Sequence, residues 1–250
     1  GIAALAVLAL APVARRRPTW RALVVGIAYA ATVVLFVLAN KLTTAANTIF
    51  LQSTAPMYVL LVSPWLLGES IRRRDLGFVA LAAAGLSLFF LGTEPPRATA
   101  PDPTAGNLIA VGSGVAWAAT LVGFRWLGHH REPGGDPVHT VVVGNLLAFA
   151  VCLPAALPVG AVGIADASAL VYLGVCQIAL PYLLLTRAVR HVSALEASML
   201  LLVEPALNPV WAFVLHGEMP GALAIAGGVV VLGASLAKAW VDGHSDEPSG

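Results

Sequence analysis

Two stretches of this chain repeat one another. The first, at 53–69, reads STAPMYVLLVSPWLLGE, and the second, at 202–218, reads LVEPALNPVWAFVLHGE. Pro56 aligns with Pro205, Gly68 with Gly217 and Glu69 with Glu218, each pair 149 positions apart. Upstream, Thr44-Ala45 aligns with Ser193-Ala194 in the same register. No other feature constrains the fold as strongly, because whatever backbone path the first copy takes is open to the second.

The composition says what kind of solvent that path meets. Of 250 residues, 58% are hydrophobic and 11% charged, with a mean hydropathy of +0.85. A soluble domain carries about 25% charged residues. Apolar runs near the roughly 20 residues needed to cross a bilayer recur along the chain. An internal repeat in such a chain is the mark of a membrane protein built from two halves, an arrangement typical of transporters. The net charge of +1 gives no reason to expect a nucleic-acid partner. Cys152 and Cys176 lie in apolar runs and read as packing residues.

The hydropathy pattern predicts helices at about 1–14, 21–40, 44–67, 75–92, 105–127, 138–158, 168–189, 192–215 and 220–240. The first stretch is too short to span and is followed, not preceded, by Arg15-Arg16-Arg17, so it reads as the tail of a span rather than a signal peptide. Residues 1–92 form a first repeat with an incomplete N-terminus. Residues 93–104, with four prolines between Thr93 and Thr104, form an external linker. Residues 105–240 form a second repeat, and 241–250 a polar, disordered tail.

Basic residues set the orientation. With alternating loops, twelve of the fourteen Lys and Arg fall on one side, leaving only Lys41 and Arg97 on the other. The richer side is assigned to the cytoplasm, which also receives the C-terminus. The helix at 192–215 lies five helices after its copy at 44–67, so the two copies run in opposite directions. Their flanks agree: Arg72-Arg73-Arg74 follow the first Gly-Glu, and no basic residue closely follows the second.

Two halves, each with a helix running through Pro to a terminal Gly-Glu, resemble the EamA family of the drug/metabolite transporter superfamily. The matching residues are Pro56, Gly68 and Glu69, and Glu204-Pro205, Gly217 and Glu218. The resemblance implies an all-α integral membrane protein of ten helices in two inverted five-helix repeats, here without the first and part of the second. It further implies a multi-pass protein of the bacterial inner membrane that moves small metabolites, often outward, by secondary transport.

Several polar residues inside apolar runs are candidates for binding a solute. Glu196 and Glu204 lie in VSALEASMLLLVEPALNPVWAFVL, where an acidic side chain costs roughly 2.5–3.5 kcal/mol if it faces lipid. With Asn208, one turn past Glu204, they form a broad polar face suited to a cationic group or a proton. In the first half, Asn47, Thr54 and Tyr58 point in one helical direction and form an opposite wall. Gln177 and Trp117 add polar and aromatic contacts. Pro56, Pro205 and Pro209 kink their helices and free backbone carbonyls. Isolated amides and hydroxyls also bond simply between helices, and that reading stays open for each.

The expected partners are a small solute, membrane lipid, a coupled proton and a second copy of the chain in a homo-oligomer. No cofactor, metal site or catalytic residue is expected: there is no phosphate-binding GxxxxGK[ST], no His-Glu-x-x-His and, past the first residue of the helix at 75–92, no Asp inside a span. The reading is a non-enzymatic secondary transporter exporting amino acids, related metabolites or drugs by alternating access. A passive channel or a non-transporting scaffold is the alternative.

Overall fold

The computed structural model describes residues 1–91, 101–130, 134–158, 160, 162–207 and 222–245. Among them there is no strand. The helices are α1 (Ile2–Leu10), α2 (Trp20–Leu42), α3 (Ala45–Gln52), α4 (Ala55–Leu67), α5 (Arg73–Leu91), α6 (Pro103–His130), α7 (Pro137–Ala156), α8 (Ile164–Tyr172), α9 (Leu180–Ala188), α10 (Ala194–Leu200) and α11 (Ala222–Ser245). Five stretches among the described residues are long and apolar enough to cross a membrane: Trp20–Leu42, Asn47–Leu67, Pro103–His129, Pro137–Ala156 and Ile164–Ala188.

Local chemistry explains the boundaries. Pro12 stops α1 and opens a 3-10 turn over Pro12–Arg15. Thr44 caps α3 by accepting the Asn47 N–H at 3.2 Å. Asp136 does the same for α7 through Val138 N–H at 3.0 Å, with Pro137 in the first turn where its absent N–H costs nothing. Gly68 ends α4 with φ +68°, a left-handed conformation that glycine adopts without Cβ strain.

The helices expected at 21–40, 75–92, 105–127 and 138–158 are present as α2, α5, α6 and α7 within the described residues; the one at 1–14 ends at Leu10, and the one at 192–215 is described only as far as 207, with a break after Leu200. The helix expected at 44–67 is broken into α3 and α4. The helix expected at 168–189 begins at Ile164 and contains a π-helical segment, Leu173–Ala179, between α8 and α9. α11 runs to Ser245, beyond the expected end at 240.

Two compact units are defined by packing. The first comprises Gly1–Leu35 and Ala119–Ser193. In it α1 packs on α7 and on the π-helical segment, and α7 packs on α9. Its core includes Val7, Tyr29, Leu121, Phe124 and Val141. Buried polar groups there are paired between helices. Asn145 Nδ2 donates to the Tyr29 hydroxyl at 3.0 Å and to Val141 O at 2.8 Å, and the Thr32 and Thr120 hydroxyls lie 3.3 Å apart. The Tyr29 and Tyr182 rings meet edge to face at 4.8 Å.

The second unit comprises Phe36–Ala118 and Ala194–Gly250. Its most extensive packing is α5 on α11; α4 packs on α10, α10 on α11, and α3 on α5. Val59, Val79, Leu86, Met199, Val231 and Ala234 form its core. Lys238 and Asp75 are buried together in the α5–α11 contact, with Nζ 3.1 Å from Oδ1. Asp75 Oδ2 also accepts the Arg72 N–H at 2.8 Å, which caps the start of α5. In both units large apolar side chains such as Leu61, Val151, Leu184 and Val229 are exposed on helix faces, the pattern of contact with lipid.

Candidate solute site

The repeated segment breaks its helix in both copies. In the first copy the Ser53 N–H still reaches Ile49 O at 2.8 Å. The Thr54 N–H then bonds only three residues back, to Leu51 O at 3.4 Å, and the Thr54 hydroxyl donates to the same carbonyl at 2.6 Å. In the second copy the Leu201 N–H reaches Ala197 O at 3.1 Å. The Leu202 and Glu204 N–H groups then bond three residues back, to Met199 O and Leu201 O. Helix resumes at Ala55 and at 203. The cause is shared. A proline lacks the N–H that an α-helix needs, and its ring crowds the carbonyl four residues before it. Those carbonyls belong to Gln52 before Pro56 and to Leu201 before Pro205.

Both breaks line one cavity. It has a volume of about 200 Å³ and lies among Phe50, Ser53, Thr54, Pro56 and Met57 of the first break, Val79, Ala82, Leu86 and Ser87 of α5, and Leu202 of the second break. Ser53 and Leu202 occupy the same position of the repeat. No lining residue among those described is ionisable; the polar groups are hydroxyls and the backbone of the breaks. The negative end of the α3 dipole and the positive start of α4 meet at this point.

Behind the first break stands α6. Gln52 Nε2 donates to Ser113 Oγ at 2.8 Å. Beside Ser113, a Cβ on Gly114 would lie 2.9 Å from Leu51 O and 3.3 Å from Gln52 Cα, so only glycine lets the two backbones approach this closely. Nearer the start of α6, Asn107 Oδ1 accepts from the Thr43 hydroxyl at 2.9 Å and from Asn47 Nδ2 at 3.2 Å. These bonds hold α3 to α6.

The expected site residues are distributed as follows. Thr54 and Pro56 line the cavity. The Asn47 amide is engaged with Asn107 and Thr43. Tyr58 is half-buried on α4 and Trp117 half-buried on α6. Glu196 is half-buried in the first turn of α10, and Glu204 is exposed just after the second break, beside Pro205. Gln177 is exposed in the π-helical segment of the other unit. Asn208 and Pro209 lie outside the described residues. Ser53, Ser87 and Leu202 were not singled out by sequence; the repeat carried the signal for two of them, because both stand three residues before the shared proline.

Apolar spanning helices, interhelical polar bonds and a small cavity between broken helices define a multi-pass α-helical membrane protein. The chain belongs to the EamA-like transporter family, whose model matches residues 1–91 and 104–237. That places it in the drug/metabolite transporter superfamily, as its repeats led us to expect. The threonine/homoserine exporter RhtA of Salmonella typhimurium strain SL1344 is 28% identical to it over 209 residues, and the strain LT2 protein matches to the same degree. The match covers 81% of this chain and 65% of the exporter, so the chain spans just under two thirds of the length of these curated relatives. A solved crystal structure superposes with a TM-score of 0.79 at 18% identity, covering 98% of this chain and 86% of that one, which shows a shared fold.

Proposed function

We propose that this protein is a secondary transporter that exports small polar metabolites of amino-acid size by alternating access. The observation that carries the reading is the pair of helix breaks at equivalent repeat positions, lining one cavity. A broken helix within a membrane puts unpaired backbone polar groups where a solute can meet them, and inverted-repeat carriers use such breaks as binding sites.

The cavity's chemistry narrows the solute. At about 200 Å³ it lies below the roughly 300–1,000 Å³ of drug-sized pockets. Hydroxyls with opposed helix ends suit a dipolar solute of no net charge, with carboxylate toward the start of α4 and ammonium toward the carbonyls ending α3. A relative that exports threonine and homoserine agrees with that size and polarity. Glu204, exposed next to the second break, is the candidate proton carrier for coupling, with Glu196 on the same repeat segment. Asn208, Tyr58 and Trp117 belong to the proposed path. The two sequence halves act as inverted repeats, and the basic loops hold the C-terminus in the cytoplasm.

The test is growth of a sensitive bacterium expressing the gene, challenged with threonine, homoserine, toxic amino-acid analogues, nucleobase analogues and cationic dyes. Protection against amino acids or their analogues, lost in Thr54→Val and in Glu204→Gln while both proteins remain in the membrane, is the expected outcome. Protection against dyes alone would reject the size argument. Solute flux in vesicles that follows its own gradient in the Glu204→Gln protein as in the unaltered one would favour a passive channel.

A further inference from the structure

The second helix break is held by a residue that lies outside it. Met199 O accepts two donors: the Leu202 N–H at 3.0 Å and, at 2.9 Å, the hydroxyl of Ser235 on α11. Ser235 and Met199 are both buried. Within a membrane, side-chain hydroxyls from neighbouring helices satisfy backbone groups where a helix is broken. Leu202, whose N–H shares the Met199 carbonyl, lines the cavity. No residue of α11 among those described lines it. Ser235 therefore stands two hydrogen bonds behind the cavity wall. One turn further along α11, Lys238 meets the Asp75 carboxylate at 3.1 Å, so the hydroxyl is presented from a helix that is fixed on α5.

The repeat gives a second, independent observation. In the first break one carbonyl, Leu51 O, also takes both an N–H from three residues on and a hydroxyl, and both belong to Thr54. The position of Thr54 in the second copy is Val203, which has no hydroxyl to give. Carried on in the same register, the position of Ser235 in the first half is Leu86, an apolar residue of the cavity wall. The hydroxyl that serves the break thus stands on the broken segment in one half and on α11 in the other.

We propose that Ser235 is a positioning residue of the solute site. Its hydroxyl holds the Met199 carbonyl, and through it Leu202, as the Thr54 hydroxyl holds Leu51 O in the first break. Ser235 touches no solute itself; it sets the shape of the wall that does. The role rests on the transport reading given above.

The full chain in inside-out membrane vesicles would be assayed for concentration-dependent uptake of labelled threonine and homoserine, and the purified chain for amide hydrogen exchange over 199–206. Ser235→Ala should raise KM about threefold with the maximal rate little changed, the factor that corresponds to an interhelical hydrogen bond of about 0.6 kcal/mol. Exchange over 199–206 should quicken by a similar factor. Ser235→Cys fills the same space with a weak donor and should behave as Ser235→Ala does. Thr32→Val alters the buried hydroxyl contact with Thr120 in the first unit and should leave KM unchanged. An unchanged KM in Ser235→Ala would overturn the proposal, and so would an unchanged KM in Ser235→Cys, which would make the effect one of volume. An equal rise in Thr32→Val would overturn it as well, by making the effect general to the fold. Flux of neither solute in the unaltered protein would overturn the transport reading itself, a failure seen without any variant.

Discussion

Both oxygens of the Glu69 carboxylate stand 3.3 Å from the backbone nitrogen of Ala194 and accept its N–H. Glu69 follows Gly68, whose left-handed conformation ends α4, and Ala194 opens α10. The Gly-Glu pair of the first repeat therefore ties off the start of the broken helix of the second. A carboxylate at a helix start satisfies an N–H that has no partner within the helix and meets the positive end of the dipole.

Replacing Glu69 by Ala should lower stability by about 1 kcal/mol, the usual value of a lost N-terminal cap. Glu69→Gln keeps an acceptor oxygen and should lose less. Thermal unfolding in detergent measures both. Equal midpoints for the Ala variant and the unaltered protein would remove the cap from the account.

Gly114→Val should cost about 1–3 kcal/mol, the range for overpacking, because backbone atoms of Leu51 and Gln52 occupy the space its side chain needs. Transport should fall with it, since the first helix break would be pushed from α6. A Cβ on Gly77 of α5 would meet nothing within 4 Å, so Gly77→Ala should be neutral or slightly stabilising. The comparison needs only the amount of folded protein and the unfolding midpoint of each.

Asp75→Asn should be among the most damaging single changes in the second unit. It takes from buried Lys238 the carboxylate 3.1 Å away, a change that costs up to about 3–5 kcal/mol where a buried pair is broken. Exchanging the charges, with Asp75→Lys and Lys238→Asp together, should recover part of the loss, read as folded protein in the membrane. A double variant no better than Asp75→Asn would mean that capping of α5, not the ion pair, is what Asp75 supplies.

Asn107→Leu removes the acceptor shared by Thr43 and Asn47. Interhelical hydrogen bonds in membranes average about 0.6 kcal/mol, so a loss of about 1 kcal/mol is expected for the two. The order of solute preference should stay the same. A changed order in the growth assay would put Asn47 in the path of the solute, not only in the α3–α6 contact.

The spans were legible because apolar runs of membrane length are rare in soluble chains, and the breaks because proline leaves a mark in sequence. The pairing of residues across long separations was less so. Asn47 reads as a wall residue by its helical direction, and nothing in that direction shows the bond its amide makes to Asn107, sixty positions away. Lys238 counts as a loop charge in any tally of basic residues, yet it is 3% exposed. Its burial did leave a trace: Val231, Ala234, Ser235 and Lys238 recur at the spacing of one helix face, and all four are buried. The π-helical segment in which Gln177 lies left no such trace, since its seven residues are apolar nearly all round and show no face whose rotation could be read.

The Asp75–Lys238 pair also bears on how the molecule is made. Its two residues are separated by most of the polypeptide, and Lys238 belongs to α11, the last helix described. While the ribosome is still producing the second half, Asp75 has no Lys238 to meet, and α5 has no α11 to lie against. The packing of α5 thus stays unfinished until α11 arrives. The contact between α5 and α11 is therefore late by construction, and in a nascent chain stopped short of residue 238 the Asp75 carboxylate keeps the Arg72 N–H but lacks its buried ammonium partner.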